Sequence, residues 1–376
     1  MPSFDPQRIT PAVSMNRVRI VDLPGLVVDS EVKGRQGSEL VSLAVLARLI
    51  RQRADSLQLD PHMSDGQLRL ALDGCVAHES EMVRTAAEEV ARRVGRNLCY
   101  ILLALKRGDA VNRAARSEWD DSYWHHWARI RRVWLGGGLV GGRLGSAICR
   151  HASVVIEEAG VGDYIVQVSP YASALPLVGV ARYAPAGCRT ALVLDFGSTM
   201  AKCARAVYED NKLTELHRLP SRSARCAEIE KASDDGLQQA TKLFSHMVSV
   251  VVDAWRAAEL LPFSPVLATV ATYIRDGHPL LRDGHPLPAQ GGGYLQLRRI
   301  TDNVQRELAR RVSAELGEAV DLSLVHDGTA AATTYAGMKD TVVVMVGTAL
   351  GVGFPPEAGR LRAINRSSLT VCGPDG

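Results

Sequence analysis

Three times along the chain, a run of apolar residues that is typical of a buried strand ends in a turn built around glycine. These turns lie at 134–139 (WLGGGL), 194–202 (LDFGSTMAK) and 346–353 (VGTALGVG). Glycine lets the backbone approach a ligand closely, and the N–H groups and hydroxyls of such turns can bind phosphate oxygens. The turns at 134–139 and 346–353, taken alone, are equally typical of a structural connection, whereas the pattern at 194–202 favours function over its alternative, a simple hairpin turn. Strand and helix patterns alternate along the rest of the chain, including a strand at 17–22 and a helix at 297–315, and this alternation predicts α/β layers.

Two aspartates follow predicted strands. Asp195 closes the strand before the second glycine turn, where it could hold Mg²⁺ through water, because magnesium keeps much of its hydration shell. Asp327 lies in 324–332 (LVHDGTAAA), where a strand gives way to a helix. Ligands bind at the carboxyl ends of strands in such folds, so Asp327 could take the proton of a substrate hydroxyl that attacks a γ-phosphate. The alternative is that Asp327 caps the helix, a position that aspartate favours.

Together these segments resemble the superfamily of actin, hexokinases and heat-shock ATPases, and within it the sugar-kinase branch that includes the repressor/ORF/kinase (ROK) family. Segment 194–202 resembles the first phosphate loop, 324–332 the segment with the catalytic aspartate, 346–353 the second phosphate loop and 133–139 the adenosine motif. The resemblance implies a two-lobed actin/hexokinase-like (ribonuclease H-like) α/β fold with a central ATP cleft. It also implies a kinase that uses ATP and Mg²⁺ to phosphorylate a hydroxyl of a small molecule, with a sugar or sugar-containing metabolite as the expected acceptor.

The order of the motifs differs from that of the family. Family members run from the first phosphate loop through the catalytic aspartate and the second phosphate loop to the adenosine motif, whereas here the adenosine-like motif comes first. We therefore expect a circular permutation that fuses the old termini through a linker at 182–189, which is tolerated where domain termini lie close together. The expected domains are a nucleotide-side lobe at 1–181 and a lobe at 190–376 that carries both phosphate loops and the aspartate.

The resemblance assigns roles to individual residues. Asp327 is the expected general base, and Asp195 is the expected Mg²⁺ ligand. The residues expected to bind phosphate are Gly197, Ser198, Thr199, Lys202, Gly347, Thr348 and Gly351. The residues expected to face the adenosine are Gly136, Gly137 and Gly138. The residues expected to bind the substrate are His278, His285, Tyr294 and His326, the last of which replaces the family's asparagine.

Two motifs of the family are missing, namely its zinc-binding Cys/His segment and its Glu-x-x-Gly-His sugar contact. Near the place of the zinc segment the chain retains Cys372, in 371–376 (VCGPDG). The identity of the acceptor is therefore open, as is the nucleotide preference. A non-catalytic sugar or nucleotide sensor and an actin-like ATPase are the alternatives to a kinase.

Charge and cysteine content limit the partners. The 44 Lys and Arg residues exceed the 41 Asp and Glu residues by three, which is too small an excess for nucleic acid as the main partner. No opening segment is typical of a secretory signal or long enough to span a bilayer, so we expect a cytoplasmic protein without a membrane partner. Seven cysteines, none of them in a Cys-x-x-Cys pair, are expected to be reduced thiols. We expect a small-molecule hydroxyl acceptor as the partner, and a homodimer is compatible with the sequence.

Overall fold

Two sheets, each with its own helices, organise the chain. The structure is a computed structural model, and it describes residues 4–224, 228–229, 235–282, 284–289, 292–365 and 369–373. One unit comprises Met1–Arg8, Val13–Ser173 and Met338–Phe354, and the other comprises Ile9–Ala12, Ala174–Gly337 and Pro355–Gly376. The segment with the third glycine turn therefore folds with the first unit, and residues 174–181 fold with the second.

The elements of the described residues follow in chain order. The helices are α1 (Gly37–Leu40), α2 (Leu43–Arg51), α3 (Ala54–Leu57), α4 (Asp65–Cys75), α5 (Glu81–Arg107), α6 (Ala110–Ala114), α7 (Asp121–Arg129), α8 (Gly142–Glu158), α9 (Leu175–Ala181), α10 (Gly236–Ala257), α11 (Val304–Leu316) and α12 (Asp327–Thr333). The strands are β1 (Arg132–Gly136), β2 (Ile165–Val168), β3 (Thr190–Phe196), β4 (Met200–Glu209), β5 (Lys212–Ser223), β6 (Val266–Val270), β7 (Ile274–Arg275), β8 (His278–Pro279), β9 (Leu322–His326), β10 (Thr341–Val346), β11 (Leu350–Gly353), β12 (Ala363–Ile364) and β13 (Thr370–Cys372).

The first unit places helices α1 to α8 around a four-stranded sheet of order β11-β10-β1-β2. Side chains cap these helices where the sequence changes from loop to periodic apolar residues. Ser42 accepts the N–H of Val45 at the start of α2, and Ser64 forms a capping box with Gln67 at the start of α4. Helix α5 crosses α8 at Gly95, where a Cβ would lie 2.5 Å from the carbonyl oxygen of Ile148. This close approach buries the apolar face of the 27-residue helix α5.

The second unit is built on a sheet of order β12-β5-β4-β3-β6-β9, with β13 also paired to β5. Strands β3, β4 and β5 are antiparallel, whereas β6 and β9 run parallel to β3. Helices α10 and α11 cover one hydrophobic core, in which Leu194, Phe244 and Leu308 are fully buried. Helix α9 is buried along its whole length and meets α12 at Gly179, where a Cβ would lie 1.8 Å from the carbonyl oxygen of Ala330.

The two sheets share one four-strand pattern. In the second unit, β4 is antiparallel to β3, which is followed across the sheet by the parallel strands β6 and β9. In the first unit, β11 is antiparallel to β10, which is followed by the parallel strands β1 and β2. In the second sheet the antiparallel hairpin (β3 and β4) comes before the parallel strands (β6 and β9) along the chain. In the first sheet the order is reversed, since the parallel strands β1 and β2 precede the hairpin of β10 and β11.

Two predicted elements differ from the structure. The strand expected at 17–22 is absent, and only a single bridge joins Arg19 to Gln36. The helix expected at 297–315 is divided into a 3₁₀ helix (Gly293–Arg299) and α11, because the Asn303 side chain accepts the N–H of Arg306 and caps α11 there. Cys226, one of the seven cysteines, and residues 374–376 of the segment 371–376 lie outside the described residues.

No helix among the described residues combines the length and apolar character needed to cross a membrane.

Candidate active site

The first carboxylate of the site is held at the end of β3. Asp195 is 5% exposed, and its Oδ1 accepts a hydrogen bond of 2.8 Å from the Thr269 hydroxyl. Its Oδ2 lies 3.6 Å from Lys202 Nζ. The register explains this geometry, because Asp195 pairs with Lys202 across the β3–β4 hairpin and with Thr269 on the parallel strand β6. The Thr269 hydroxyl and the Lys202 ammonium group thus supply the polar partners that a buried carboxylate requires.

The turn after Asp195 is fixed at its base and open at its tip. The N–H of Gly197 donates to the carbonyl of Met200 at 3.1 Å, and the hydroxyl of Tyr294 donates to the carbonyl of Gly197 at 3.0 Å. The carbonyl of Thr199 accepts from the N–H of Ala224 at 2.9 Å. Ser198 and Thr199 are exposed. The turn therefore presents two hydroxyls on a rigid backbone, which suits the binding of phosphate oxygens.

The second carboxylate, that of Asp327, lies at the junction of β9 and α12, two strands across the sheet from Asp195. Its Oδ1 accepts the N–H of Gly328 at 2.7 Å. Burial raises the pKa of Asp327 to about 7, and the negative charge of Asp195 acts in the same direction. The Gly328 N–H and Lys202 oppose this shift. At neutral pH the pKa of Asp327 therefore leaves both its acid and its carboxylate form populated.

His326 fixes the approach to Asp327. Its ring stacks on that of Tyr273, with centroids 4.6 Å apart and planes 14° from parallel. Its Nδ1 accepts the N–H of Thr329 at 3.2 Å, which makes Nε2 the protonated nitrogen of the neutral ring. Nε2 lies 3.2 Å from Asp327 Oδ1. Because burial lowers the pKa of His326 to about 4, the ring is neutral at pH 7 and presents an N–H to the carboxylate.

The two glycine turns of the first unit lie side by side at the ends of β1 and β10, which pair in parallel. The N–H of Leu139 donates to the carbonyl of Val346 at 3.0 Å, and a Cβ at Gly137 would lie 2.5 Å from that oxygen. Gly137 also has a φ of 97°, a conformation in which a side chain is strained. The structure thus brings the predicted adenosine turn and the predicted second phosphate turn together, although they lie far apart in the sequence. Thr348 in the second of these turns is exposed.

Two residues that support these turns were not singled out from the sequence. The Asn16 amide bonds both backbone groups of Leu350, accepting its N–H at 2.8 Å and donating to its carbonyl at 2.7 Å. Asp73 accepts the N–H of Leu144 at 2.9 Å and thereby occupies the N-terminus of α8. Neither residue lies in a recognisable motif, so only the tertiary structure reveals them.

The four predicted substrate residues have different surroundings. His326 lies beside Asp327, as described above. Tyr294 is only 2% exposed and supports the Gly197 turn from below. His278, on the short strand β8, and His285, on the loop that follows, are both exposed, and His278 Nε2 lies 3.3 Å from the Asn303 amide nitrogen. The structure therefore joins two of the four residues to the carboxylate site.

The chain was compared with known proteins. No family model and no curated protein matches it. It is similar to the crystal structure of the Ppx/GppA phosphatase of Aquifex aeolicus, type II variant, with 15% sequence identity and a TM-score of 0.20. The match covers 39% of this chain and 40% of that chain, so the chain spans less than half the length of the structure that it matches.

The prediction of an ATP-dependent sugar-type kinase is wrong, since the matched structure is that of a phosphatase. The architecture that the structure itself establishes is a mixed α/β fold with two units.

Proposed function

We propose that the second unit carries a phosphohydrolase site, in which Asp327 activates a water molecule for attack on a phosphoryl group bound at the Gly197–Thr199 turn. The observation that carries this proposal is the pair formed by Asp195 and Asp327 at the carboxyl ends of strands in one sheet. Their charges interact, and the pKa of Asp327 is raised to about 7. A general base works best when its pKa lies near the operating pH.

The proton and the bonds can be followed through the step. The Asp327 carboxylate takes a proton from water as the water oxygen bonds to phosphorus, and the bond from phosphorus to the leaving oxygen breaks. The neutral His326 ring, whose Nε2 lies 3.2 Å from Asp327 Oδ1, holds the carboxylate in place for this transfer. In this step Asp327 receives a proton from water, so among the described residues of the site it is not available to protonate a poor leaving group. We therefore propose phosphoanhydrides as substrates, because their phosphate leaving groups are stable as anions.

Charge stabilisation falls to the β3–β4 hairpin. Lys202 and the hydroxyls of Ser198 and Thr199 would contact the phosphate oxygens, where preorganised donors stabilise the charge of the transition state. Asp195 would hold Mg²⁺ through water. Its hard oxygen donors suit this ion, and the described residues contain no cluster of three or more acidic, His or Cys side chains that could form a closed metal cage. When bound, the ion would neutralise charge on the phosphate oxygens.

We propose that the glycine turns of the first unit form a ligand site of their own. Gly347, Thr348 and Gly351 would contact phosphate oxygens, and the glycines at 136–138 would face a nucleoside or another flat group. The support is that these turns lie at the carboxyl ends of adjacent parallel strands, where ligands bind in open α/β sheets.

We also propose that the chain is a circularly permuted member of the actin/hexokinase-like superfamily. The support is the shared strand pattern of the two sheets, which the chain visits in opposite orders. A chain that begins at residue 190 and carries residues 1–181 after residue 376, joined by a flexible linker, tests this proposal. We expect it to fold with the same circular dichroism and unfolding midpoint as the natural order. A chain that fails to fold in this order would contradict the permutation.

The activity itself is tested by phosphate release. The wild-type protein is incubated with Mg²⁺ and a panel of nucleoside triphosphates, pyrophosphate, inorganic polyphosphate and phosphate monoesters. Asp327→Asn is expected to slow release by roughly 10²- to 10⁴-fold, the usual contribution of a general base. Asp321→Asn, which changes an exposed aspartate just before β9, is the matched control and should leave the rate unchanged. Equal rates in wild type and Asp327→Asn, or no release from any compound of the panel, would contradict the proposal.

A further inference from the structure

We propose that the second unit carries a second reactive site, in which Cys372 is a nucleophilic thiol activated by His217 and Glu215 and undergoes exchange with small disulfides. No residue of this site belongs to the carboxylate site around Asp195 and Asp327. The inference is therefore independent of the proposed phosphohydrolase activity.

The three side chains are aligned by strand pairing. Cys372 on β13 is the register partner of His217 on the parallel strand β5, and Glu215 precedes His217 by two residues, so that it projects from the same face of the sheet. Cys372 Sγ lies 3.2 Å from His217 Nδ1. His217 Nε2 lies 2.5 Å from Glu215 Oε2. Thiol, imidazole and carboxylate thus form a continuous hydrogen-bonded row.

The row defines the direction of proton transfer. The Glu215 carboxylate can only accept, so it fixes the imidazole proton on Nε2 and leaves the lone pair of Nδ1 towards the thiol. The other acceptor near Sγ, the carbonyl of Leu216, lies at 4.0 Å and is too distant to compete. A nucleophile in contact with a base, and a base oriented by a third group, is the arrangement that activates cysteine in catalysis.

The row of three side chains is accessible from solvent. Cys372 is half-buried, and the side chains of His217 and Glu215 are 36% and 45% exposed. A small disulfide can therefore reach the sulfur.

Other cysteines of the described residues lack this environment. Cys149 and Cys188 are also half-buried, but their thiols contact the backbone carbonyls of Val166 and Thr190, and burial raises the pKa of both. Burial also raises the pKa of the more enclosed cysteines, which are Cys75, Cys99 and Cys203. Cys149 and Cys188 thus serve as internal references with similar exposure and no neighbouring base.

The proposed reaction is balanced without a further reagent. His217 takes the proton of the thiol, and the Cys372 thiolate attacks one sulfur of the small disulfide. A new bond joins Cys372 to that sulfur as the original disulfide bond breaks, and the departing thiolate receives the proton from His217. The products are a mixed disulfide on Cys372 and one free small thiol.

The test measures the reaction of each cysteine within one chain. The reduced, full-length protein is mixed with oxidised glutathione at pH 7 and quenched with acid at intervals. Mass spectrometry of its peptides then gives a separate rate for every cysteine. We expect Cys372 to react at least about tenfold faster than Cys149 and Cys188. A rate at Cys372 no higher than that at Cys188 would overturn the proposal.

Variants then test the role of the base. His217→Ala should lower the rate at Cys372 about tenfold at pH 7 and leave it unchanged at pH 10, where thiols ionise without help. His246→Ala, which removes another histidine of the second unit, should change neither rate. Equal rates of wild type and His217→Ala at pH 7 would contradict the proposal. If His217→Ala fails to fold, Glu215→Gln replaces it in the test. An unchanged rate at Cys372 in Glu215→Gln would also contradict the proposal. Asp327→Asn, which tests the phosphohydrolase, should leave this exchange unaffected.

Discussion

Replacing Asp327 by asparagine should stabilise the protein in a pH-dependent manner while it slows the proposed release of phosphate. Asparagine has nearly the shape of aspartate and keeps the oxygen that accepts the Gly328 N–H, but it cannot ionise. The folded protein raises the pKa of Asp327 from the usual 3.8 to about 7. Below pH 4 both the folded and the unfolded chain hold this proton, so ionisation costs nothing.

Whether the protein gains or loses stability as the pH rises depends on which state, folded or unfolded, keeps the Asp327 proton. Between about pH 4 and pH 7 the unfolded chain has lost the proton and the folded chain retains it, so the wild type loses stability as the pH rises. Above pH 7 both states are ionised and the loss is complete. A shift of about three pH units corresponds to about 4 kcal/mol at 1.36 kcal/mol per unit. Because the side chain is 21% exposed, water screens part of this cost, and we expect a difference on the order of 3 kcal/mol.

Urea denaturation measures this difference directly. Wild type, Asp327→Asn and the control Asp321→Asn are unfolded at pH 4.5, 6, 7 and 8.5. The free energy of unfolding of Asp327→Asn should exceed that of the wild type by a margin that grows from pH 4.5 to 7 and then stays constant. Asp321→Asn should run parallel to the wild type. A margin for Asp327→Asn that does not vary with pH, or one that shrinks as the pH rises, would refute the reasoning.

Further substitutions test the packing that supports the site. Gly179→Ala should destabilise the protein by about 3 kcal/mol in urea unfolding, because its Cβ would lie 1.8 Å from the carbonyl oxygen of Ala330. Gly74→Ala, on the open face of α4, should instead stabilise it by up to about 1 kcal/mol. Similar effects of the two changes would show that α9 and α12 are not in close contact. Tyr294→Phe removes the hydroxyl that bonds the Gly197 carbonyl and should cost about 1 kcal/mol of stability, together with slower phosphate release. If Tyr294→Phe lost this stability but released phosphate at an unchanged rate, Tyr294 would have no role in supporting the phosphate turn.

The strand ends of the site could be predicted from the sequence, but the order of the strands could not. Apolar runs that end in Asp195 and Asp327 indicate two strands with carboxylates after them. The two carboxylates interact because β3 and β9 flank the same strand, β6, and this depends on pairing between distant segments. The role of Thr269 could not be predicted for the same reason. It lies within the apolar run of β6, where nothing in the sequence marks it as a site residue, yet its hydroxyl donates a hydrogen bond to Asp195.

The unit to which the third glycine turn (346–353) belongs also depends on pairing between strands that are distant in the sequence. In the sequence this turn follows Asp327 closely, and proximity along the chain favours a place in the same lobe. In the structure β10 pairs with β1, so that Thr341 lies beside Arg132 and the turn joins the first unit. Local periodicity predicts each strand but does not indicate which other strand it pairs with.

These motifs do not distinguish a kinase from a hydrolase, for a chemical reason. A carboxylate base and a phosphate-binding turn serve equally well whether an alcohol or water attacks the phosphorus. What separates the two reactions is the pocket for the acceptor. In this chain the sugar contact of the resembling family is missing, and His278 and His285 are exposed on their loop.

The two sheets share a strand pattern but differ in the residues at their strand ends. By position in the sheet, β10 corresponds to β3 and β2 corresponds to β9. At the penultimate position of β10 the first unit has Met345 where the second has Asp195, and just after β2 it has Ser169 where the second has Asp327. Both sheets thus present a glycine hairpin that can bind an anion, but only the second adds carboxylates to it. A site that must bind phosphate needs the hairpin alone, whereas a site that must also move a proton needs the aspartates, with the loss of stability that a buried carboxylate brings.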